Sequence, residues 1–300
     1  MIVVFGGNSQ LGQELARTAA TNGIPLTAVG RSSVEIADRT GVERALRTLR
    51  PSLVVNAAAY TKVDQAETDV EAAERGNALG PGILAAACAA AGVPLVHIST
   101  DYVFDGMKAG PYVETDRIAP LGVYGRTKAA GEQAVRAAHG RHVILRTAWV
   151  YGEFGSNFLK TMVRLARERD ELRVVADQSG CPTSTRDLAA AILRVAPRLT
   201  AGEPVWGTYH FAGKGTTTWH GFAQRIVAAQ APLTGRSPSV VAIATADYPT
   251  RARRPANSAF DCSRFADVFG LHARPWTEEA DDITRAVVKA QQPSDVFHVA

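Results

Sequence analysis

An α/β fold, a doubly wound parallel sheet with a smaller second α/β domain, is what three features of this sequence predict. Short apolar runs alternate with longer helix-forming segments through the first half. Several of those runs are almost wholly apolar, as strands covered on both faces must be. A glycine-rich turn sits directly after the first run and opens the first helical segment. Such alternation places a parallel sheet between helical layers.

In chain order, the strand candidates are Ile2–Phe5, Leu26–Val29, Leu53–Ala57, Leu95–Ile98 and Val143–Arg146. Between them, Leu11–Asn22, Gly41–Leu49, Asp69–Ala91 and Thr127–Ala138 are rich in Ala, Glu, Arg and Leu, which suits helices. The second half changes character. Asp177–Thr185, Gly213–Thr218 and Pro249–Asn257 are loop-like, rich in Gly, Pro, Ser, Thr and Arg. Helical stretches Asn157–Glu168, Arg186–Val195 and Trp219–Ala229 separate them, and Thr208–Ala212 is expected to return to the main sheet. The expected division is therefore 1–148 with roughly 185–213 as one domain, and 149–184 with 214–300 as the other. The tail Gln291–Ala300 has no helical period and is expected to fray.

Composition narrows the class. At 300 residues and 46% hydrophobic, the chain can bury a real core. Its 33 basic and 29 acidic residues are interspersed, and the densest cluster is the short Arg251, Arg253, Arg254. That suits a small anion better than nucleic acid, which calls for a broad basic face. Cys88, Cys181 and Cys262 lack metal-ligand spacing and read as reduced structural thiols. The start, Met1–Gly7, has no basic region or cleavage site, and Ile83–Ile98 is interrupted by Gly92 and Pro94. Neither a signal peptide nor a membrane span is expected, and the location is expected to be cytoplasmic.

The glycine turn reads Gly6-Gly7-Asn8-Ser9-Gln10-Leu11-Gly12. Its spacing is G-x-x-G-x-x-G with Ser9 at the middle position. A turn of this kind lets backbone approach a pyrophosphate while the next helix aims free N–H groups at it. Ser9 keeps a backbone N–H, but its Cβ limits how near the phosphate comes. The second strand ends in Arg31 and Ser32, where an acid would favour NAD. A guanidinium can fork onto a 2′-phosphate, so NADPH is expected, with NADH possible. Glu35 and Ile36 follow, and they resemble the acidic-plus-apolar pair that flanks the adenine in dinucleotide-binding dehydrogenases.

Tyr124-Gly125-Arg126-Thr127-Lys128 carries the Y-x-x-x-K spacing at the start of a helical segment. Residues i and i+4 share a helix face, about 6 Å apart along the axis. Ser99-Thr100-Asp101 follows an apolar strand, at the sheet edge where ligands bind. Ketone reduction needs hydride at carbon and a proton at oxygen. A phenol is protonated at neutral pH and so is a loaded acid. An ammonium at Lys128 would stabilise its developing anion and bind the nicotinamide ribose. Thr100 would donate to the ketone oxygen.

Together these residues resemble the dTDP-4-dehydrorhamnose reductases, within the extended short-chain dehydrogenases, over almost the whole chain. The matching segments are Val55–Asp64, Ser99–Gly106, Tyr124–Lys128 with Gly131-Glu132, Arg146–Gly152, Asn157-Phe158, Asp177–Thr183 and Arg254–Ser258. The resemblance implies a Rossmann-type cofactor domain and a nucleotide-sugar domain. It implies a Thr100, Tyr124, Lys128 triad. Implied cofactor contacts are Ser9, Gln10, Leu11, Glu35, Ile36, Ala59, Tyr60, Thr61, Tyr124 and Lys128, beside Gly6, Gly12 and Arg31 from the turn and strand reading. Implied sugar and nucleotide contacts are Thr100, Asp101, Tyr102, Trp149 and Asn157; Arg254 would meet the diphosphate. Trp149 would be an apolar wall or core packing, and Arg254 a diphosphate ligand or a surface ion pair. The expected partner is a dTDP-sugar, and the expected state a monomer or homodimer. Some members dimerise around magnesium held by carboxylates. Glu14 stands at one such position, but Thr185-Arg186-Asp187 supplies no clear glutamate, so no metal ligand is named and the use of magnesium stays open. A reductase or epimerase of another nucleotide sugar, and a non-catalytic NADP-binding regulatory subunit, are the alternatives.

Overall fold

The computed structural model describes residues 1–291. Five parallel strands come first: β1 (Ile2–Phe5), β2 (Leu26–Val29), β3 (Leu53–Asn56), β4 (Leu95–Thr100) and β5 (His142–Thr147). A sixth, Gly207–His210, adds parallel to β5, so the expected return of the chain to the sheet occurs. The order across the sheet is Gly207–His210, β5, β4, β3, β1, β2. The order reverses at β1, which pairs with both β2 and β3. Ligands bind at the carboxyl ends of strands beside such a reversal.

The helices are α1 (Gln10–Thr21), α2 (Arg39–Leu49), α3 (Val63–Ala66), α4 (Val70–Glu74), α5 (Gly80–Ala90) and α6 (Val123–Ala138) in the first half. Then come α7 (Phe158–Glu168), α8 (Thr185–Thr200), α9 (Trp219–Thr234), α10 (Ser263–Phe269) and α11 (Trp276–Ala290). One core lies on the face that α1 and α8 cover, where Leu11, Leu15, Leu188 and Ile192 meet Val4, Val55 and Leu145. Phe265 and Phe269 of α10 join that cluster. The opposite face packs Val3, Phe5, Val54 and Leu95 against Val42 and Leu46 of α2 and Leu84 and Cys88 of α5. Strands covered on both sides are what the continuous apolar runs require.

A separate cluster joins α7, α9 and α11 through Leu159, Met162, Phe222, Ile226, Ile283 and Val287. It backs a two-stranded parallel sheet, Glu171–Val175 with Ser239–Ile243. Sequence patterning missed these two strands and helices α10 and α11. Glu171–Val175 alternates buried and exposed residues and pairs with Ser239–Ile243, a partner far away in sequence.

Other boundaries also moved. α6 starts at Val123 rather than Thr127, so Tyr124 lies in its first turn. α8 and α9 both run past the expected ends, with Pro197 and Pro232 inside them. The expected single helix over Asp69–Ala91 is broken by a π-helical turn, Arg75–Leu79, between α4 and α5. An extra residue in a turn re-aims a side chain. Here it is Asn77, fully buried, which accepts from the Tyr60 N–H at 2.8 Å and donates to the Tyr60 carbonyl at 3.0 Å. The three cysteines are free, and no described helix is long and apolar enough to cross a membrane. The expected fraying of the tail falls on residues 292–300, outside the described ones.

Candidate active site

The glycine turn closes as its composition predicts. Gly6 has φ of +85°, and a Cβ there would stand 2.4 Å from the Ala58 nitrogen. Only glycine fits that position. Gly12 serves packing, since its Cβ would meet the Gly6 carbonyl at 2.3 Å. Ser9 has an ordinary extended backbone and caps α1, its Oγ accepting from the Gly12 N–H at 3.0 Å. Its hydroxyl is thus turned into the helix end, and the middle position needs no glycine. A tight turn on Gly6 and Gly7, leading into the N-terminus of α1, fits a dinucleotide pyrophosphate.

From this turn a groove runs both ways. One arm is lined by Gly6, Ser9, Arg31, Glu35, Ile36, Ala59 and Tyr60, with Arg75 and Gly76. The other holds Ser9, Gln10, Leu11, Ala59, Thr61, Thr100, Asp101, Tyr102, Tyr124, Lys128 and Trp149, with Trp219 and Thr147. The arms share Ser9 and Ala57–Ala59, so they form one continuous trough.

Arg75 was not singled out from sequence. Its Nε lies 2.8 Å from Glu35 Oε1, while Arg31 reaches the same oxygen at 3.4 Å. Two guanidiniums therefore flank one carboxylate at the outer end of the groove. Arg75 lies in the π-helical turn, 40 residues beyond Glu35, and no local pattern links them.

In the inner arm, β4 runs two residues further than expected and ends on Thr100. The Thr100 hydroxyl donates to Asp101 Oδ1 at 3.0 Å and accepts from the Tyr102 N–H at 3.3 Å. It also faces the Tyr124 phenol. Burial pushes that phenol up to about 12, with the Thr100 contact opposing and Asp101 adding to the rise. Tyr124 thus stays protonated across the neutral range. Lys128 is buried and donates from Nζ to the Ile98 carbonyl at 2.6 Å. Burial lowers its ammonium to about 8, against the attraction of Glu132. Burial raises Asp101 to about 6, with Ser258 and Thr100 pulling the other way.

Helix α6 approaches closely because two of its residues lack side chains. A Cβ on Gly125 would stand 2.1 Å from the Tyr102 carbonyl, and one on Gly131 would stand 2.0 Å from the Asn77 carbonyl. The Tyr102 ring meets Tyr124 edge-on at 5.3 Å. Across the trough, Trp149 stacks on Trp219 at 3.6 Å and 8°. Trp149 holds φ of +48°, a left-handed conformation costing on the order of 1–3 kcal/mol for a bulky residue. Its indole lies over Gly180, where a Cβ would come within 2.4 Å. So Trp149 is wall and packing at once. Trp219, which sequence reasoning passed over, is its partner from the first residue of α9.

Two expected substrate residues are not gathered into the cleft. Asn157 caps α7: Oδ1 accepts from the Lys160 N–H at 3.1 Å and Nδ2 donates to the Gly152 carbonyl at 2.8 Å. It touches the trough only through Gln10, at 3.3 Å. Arg254 forms a forked pair with Asp64, at 3.1 and 2.7 Å, in an adjoining pocket with Gln65 and Tyr248. Its charge still reaches Tyr102.

The residues around Glu14 do not fit a divalent cation. Glu14 is buried, Arg17 holds both its oxygens at 2.8 Å, and Thr185 adds a bond at 3.3 Å. Arg186 pairs with Glu153 at 2.6 Å beside it. Guanidiniums stand where a metal would need carboxylates. Among the described residues, no group of three or more His, Cys, Asp or Glu could hold a metal ion.

The RmlD substrate binding domain family matches residues 1–289. The chain belongs to the dTDP-4-dehydrorhamnose reductase family. It is 42% identical over 289 residues to the dTDP-4-dehydrorhamnose reductase of Sinorhizobium fredii (strain NBRC 101917 / NGR234), covering 96% of this chain and 97% of that one. The crystal structure of a dTDP-4-dehydrorhamnose reductase from Clostridium acetobutylicum ATCC 824 superposes with a TM-score of 0.88 at 36% identity, over 95% of this chain and 99% of that one. The Bacillus anthracis str. Ames reductase, crystallised with NADP, gives 0.88 at 34% identity, over 95% and 98%. The chain is an oxidoreductase of this family, and its fold is the doubly wound one the sequence predicts.

The inner arm makes a prediction that needs no ligand. Lys128 should lose its proton with a midpoint near 8, more than two units below an exposed lysine. NMR titration of labelled lysines, with Lys128→Met to assign the signal, would show it. A midpoint near 10 would contradict the burial described.

Proposed function

We propose that this chain reduces the C4 ketone of dTDP-4-dehydro-6-deoxy-L-mannose to dTDP-L-rhamnose with NADPH, Tyr124 acting as general acid. The observation that carries the reading is the convergence of Thr100, Tyr124 and Lys128 in a trough continuous with the glycine turn and the Arg31–Arg75 pocket. NADPH, when bound, supplies the hydride.

The chain's own residues supply the rest. Gly6, Ser9, Gln10, Leu11 and the α1 N–H groups receive the pyrophosphate, with Gly12 closing the turn. Arg31, Arg75, Glu35 and Ile36 take the adenine ribose end, and Ala59, Tyr60 and Thr61 wall the middle. Tyr124 gives its proton to the ketone oxygen as charge develops there. Lys128 holds that charge by its ammonium and hydrogen-bonds the nicotinamide ribose. Thr100 donates to the same oxygen once its hydroxyl turns from Asp101. Trp149 and Trp219 offer an apolar face to the 6-deoxy sugar, beside Asp101 and Tyr102. Arg254, held by Asp64 near Tyr102, is where diphosphate charge would fall. Asn157 acts through Gln10. Residues 1–148 with roughly 185–213 would hold the cofactor, and 149–184 with 214–300 the nucleotide sugar.

Mixing the protein with NADPH and dTDP-4-keto-L-rhamnose should consume NADPH and yield dTDP-L-rhamnose. Silence there, beside turnover of a UDP- or GDP-keto sugar, would transfer the assignment to another nucleotide sugar. Tyr124→Phe should lower kcat by about 10²–10⁴. A rate close to the parent's would remove the phenol from the proton path. Arg31→Ala and Arg75→Ala should each raise the Kd for NADPH more than that for NADH, read by cofactor fluorescence. Equal losses would place the 2′-phosphate elsewhere.

A further inference from the structure

Glu132 lies one helical turn beyond Lys128 on α6, with no exposure to solvent. Ser99 Oγ donates to its Oε1 at 2.6 Å. Arg146, itself buried, donates from Nε to Oε1 at 2.8 Å and from Nη2 to Oε2 at 2.7 Å. Arg136 adds a bond to Oε2 at 2.7 Å. Ser99 is the residue before Thr100 on β4, and Arg146 is the residue before Thr147 on β5. One carboxylate therefore ties the helix bearing Tyr124 and Lys128 to the two strands whose ends form the cleft floor.

We propose that Glu132 is a positioning residue of the reaction: through Ser99 and Arg146 it sets the height and register of Tyr124 and Lys128 over Thr100. The inference rests on Tyr124 and Lys128 being the reacting pair. A helix held by packing alone can slide or tilt by fractions of an ångström. A buried fork of three bonds to two strands removes that freedom, and misplacement of about 1 Å costs on the order of 10²-fold in rate. Glu132 also faces the Lys128 ammonium as its charged neighbour and opposes the effect of burial there. The other titratable groups around Glu132 are Arg146 on β5, Arg136 on α6, His97 on β4 and His210 on the outer strand, while Asp101 faces Tyr124 from the end of β4. Burial keeps both histidines neutral at assay pH, so Glu132 and the two arginines carry the local charge.

The test is Glu132→Gln, which keeps shape and removes charge, with kcat counted per NADPH-binding site measured by fluorescence. Expected are a fall in kcat of about 10²-fold, a KM for NADPH near the parent's, and a basic limb of the pH–kcat profile moved to lower pH. Glu132→Asp should recover part of the rate. Ser99→Ala should lower kcat and leave the limb in place, since it loosens the tie without touching charge. Arg136 is about one-third exposed, and Arg136→Ala should move the limb to higher pH by leaving Glu132 less neutralised. Should Glu132→Gln fail to fold, the Ser99→Ala rate and the Arg136→Ala limb decide alone. A parent-like kcat and an unmoved limb in the folded variants would overturn the proposal. Tyr124→Phe in the same assay separates the two ideas: if it keeps the parent rate, the reacting pair itself is wrong, whatever Glu132 does.

Discussion

The fully buried ion pair between Glu132 and Arg146 is the constraint around which the site is organised. Neither charge reaches solvent, and each is fully engaged: Glu132 by Ser99, Arg146 and Arg136, Arg146 by Glu132 and the Glu114 carbonyl, with Phe104 beneath its guanidinium at 5.1 Å. Burial alone would push the Glu132 carboxyl upward; the Arg146 pair and the Ser99 bond overturn this and hold it at about 2. Breaking such a pair by removing one partner leaves an uncompensated buried charge, at a cost of about 3–5 kcal/mol. Hydrophobic residues of similar volume would serve stability as well or better. A buried charge here therefore makes more sense as specification of register than as a source of stability.

In the proposed reaction that register matters because burial shifts both Tyr124 and Lys128. The same desolvation that keeps the Tyr124 phenol protonated also weakens the Lys128 ammonium. In the proposed reaction the two effects pull in opposite directions: the first would load Tyr124 as the acid, the second would weaken Lys128 as the cation beside its anion. A carboxylate one turn further along α6 offsets the second without exposing the site to water. Gly125 and Gly131 let the helix approach closely enough for Tyr124 and Lys128 to line the cleft, with Glu132 buried behind them.

The groove also shows how two layers divide the labour. The main sheet supplies strand ends: the glycine turn after β1, where strand order reverses, and Thr100 at the end of β4. The elements beyond β5 supply the aromatic wall, Trp149 on Trp219, backed by the cluster of α7, α9 and α11. Near Glu14 the carboxylates are already paired. Arg17 and Arg186 already neutralise Glu14 and Glu153, so a divalent ion would have to displace two guanidiniums at close range.

What the sequence determined by itself was local. Continuous apolar runs marked strands buried on both faces, the Gly6–Gly12 spacing marked a tight strand-to-helix turn, and Tyr124 with Lys128 marked a shared helix face. Each of these depends on neighbours within a few residues, where periodicity and steric rules act. Tertiary structure decided what depends on distant partners. It set Arg75 beside Glu35, Trp219 on Trp149 and Arg254 on Asp64. It also drew Glu132 from α6 onto two strands. A pair separated by 40 or more residues leaves no periodic trace in one sequence, because only chain packing decides which side chains meet. The Glu171–Val175 and Ser239–Ile243 strands were hidden for the same reason: each becomes a strand by pairing with the other.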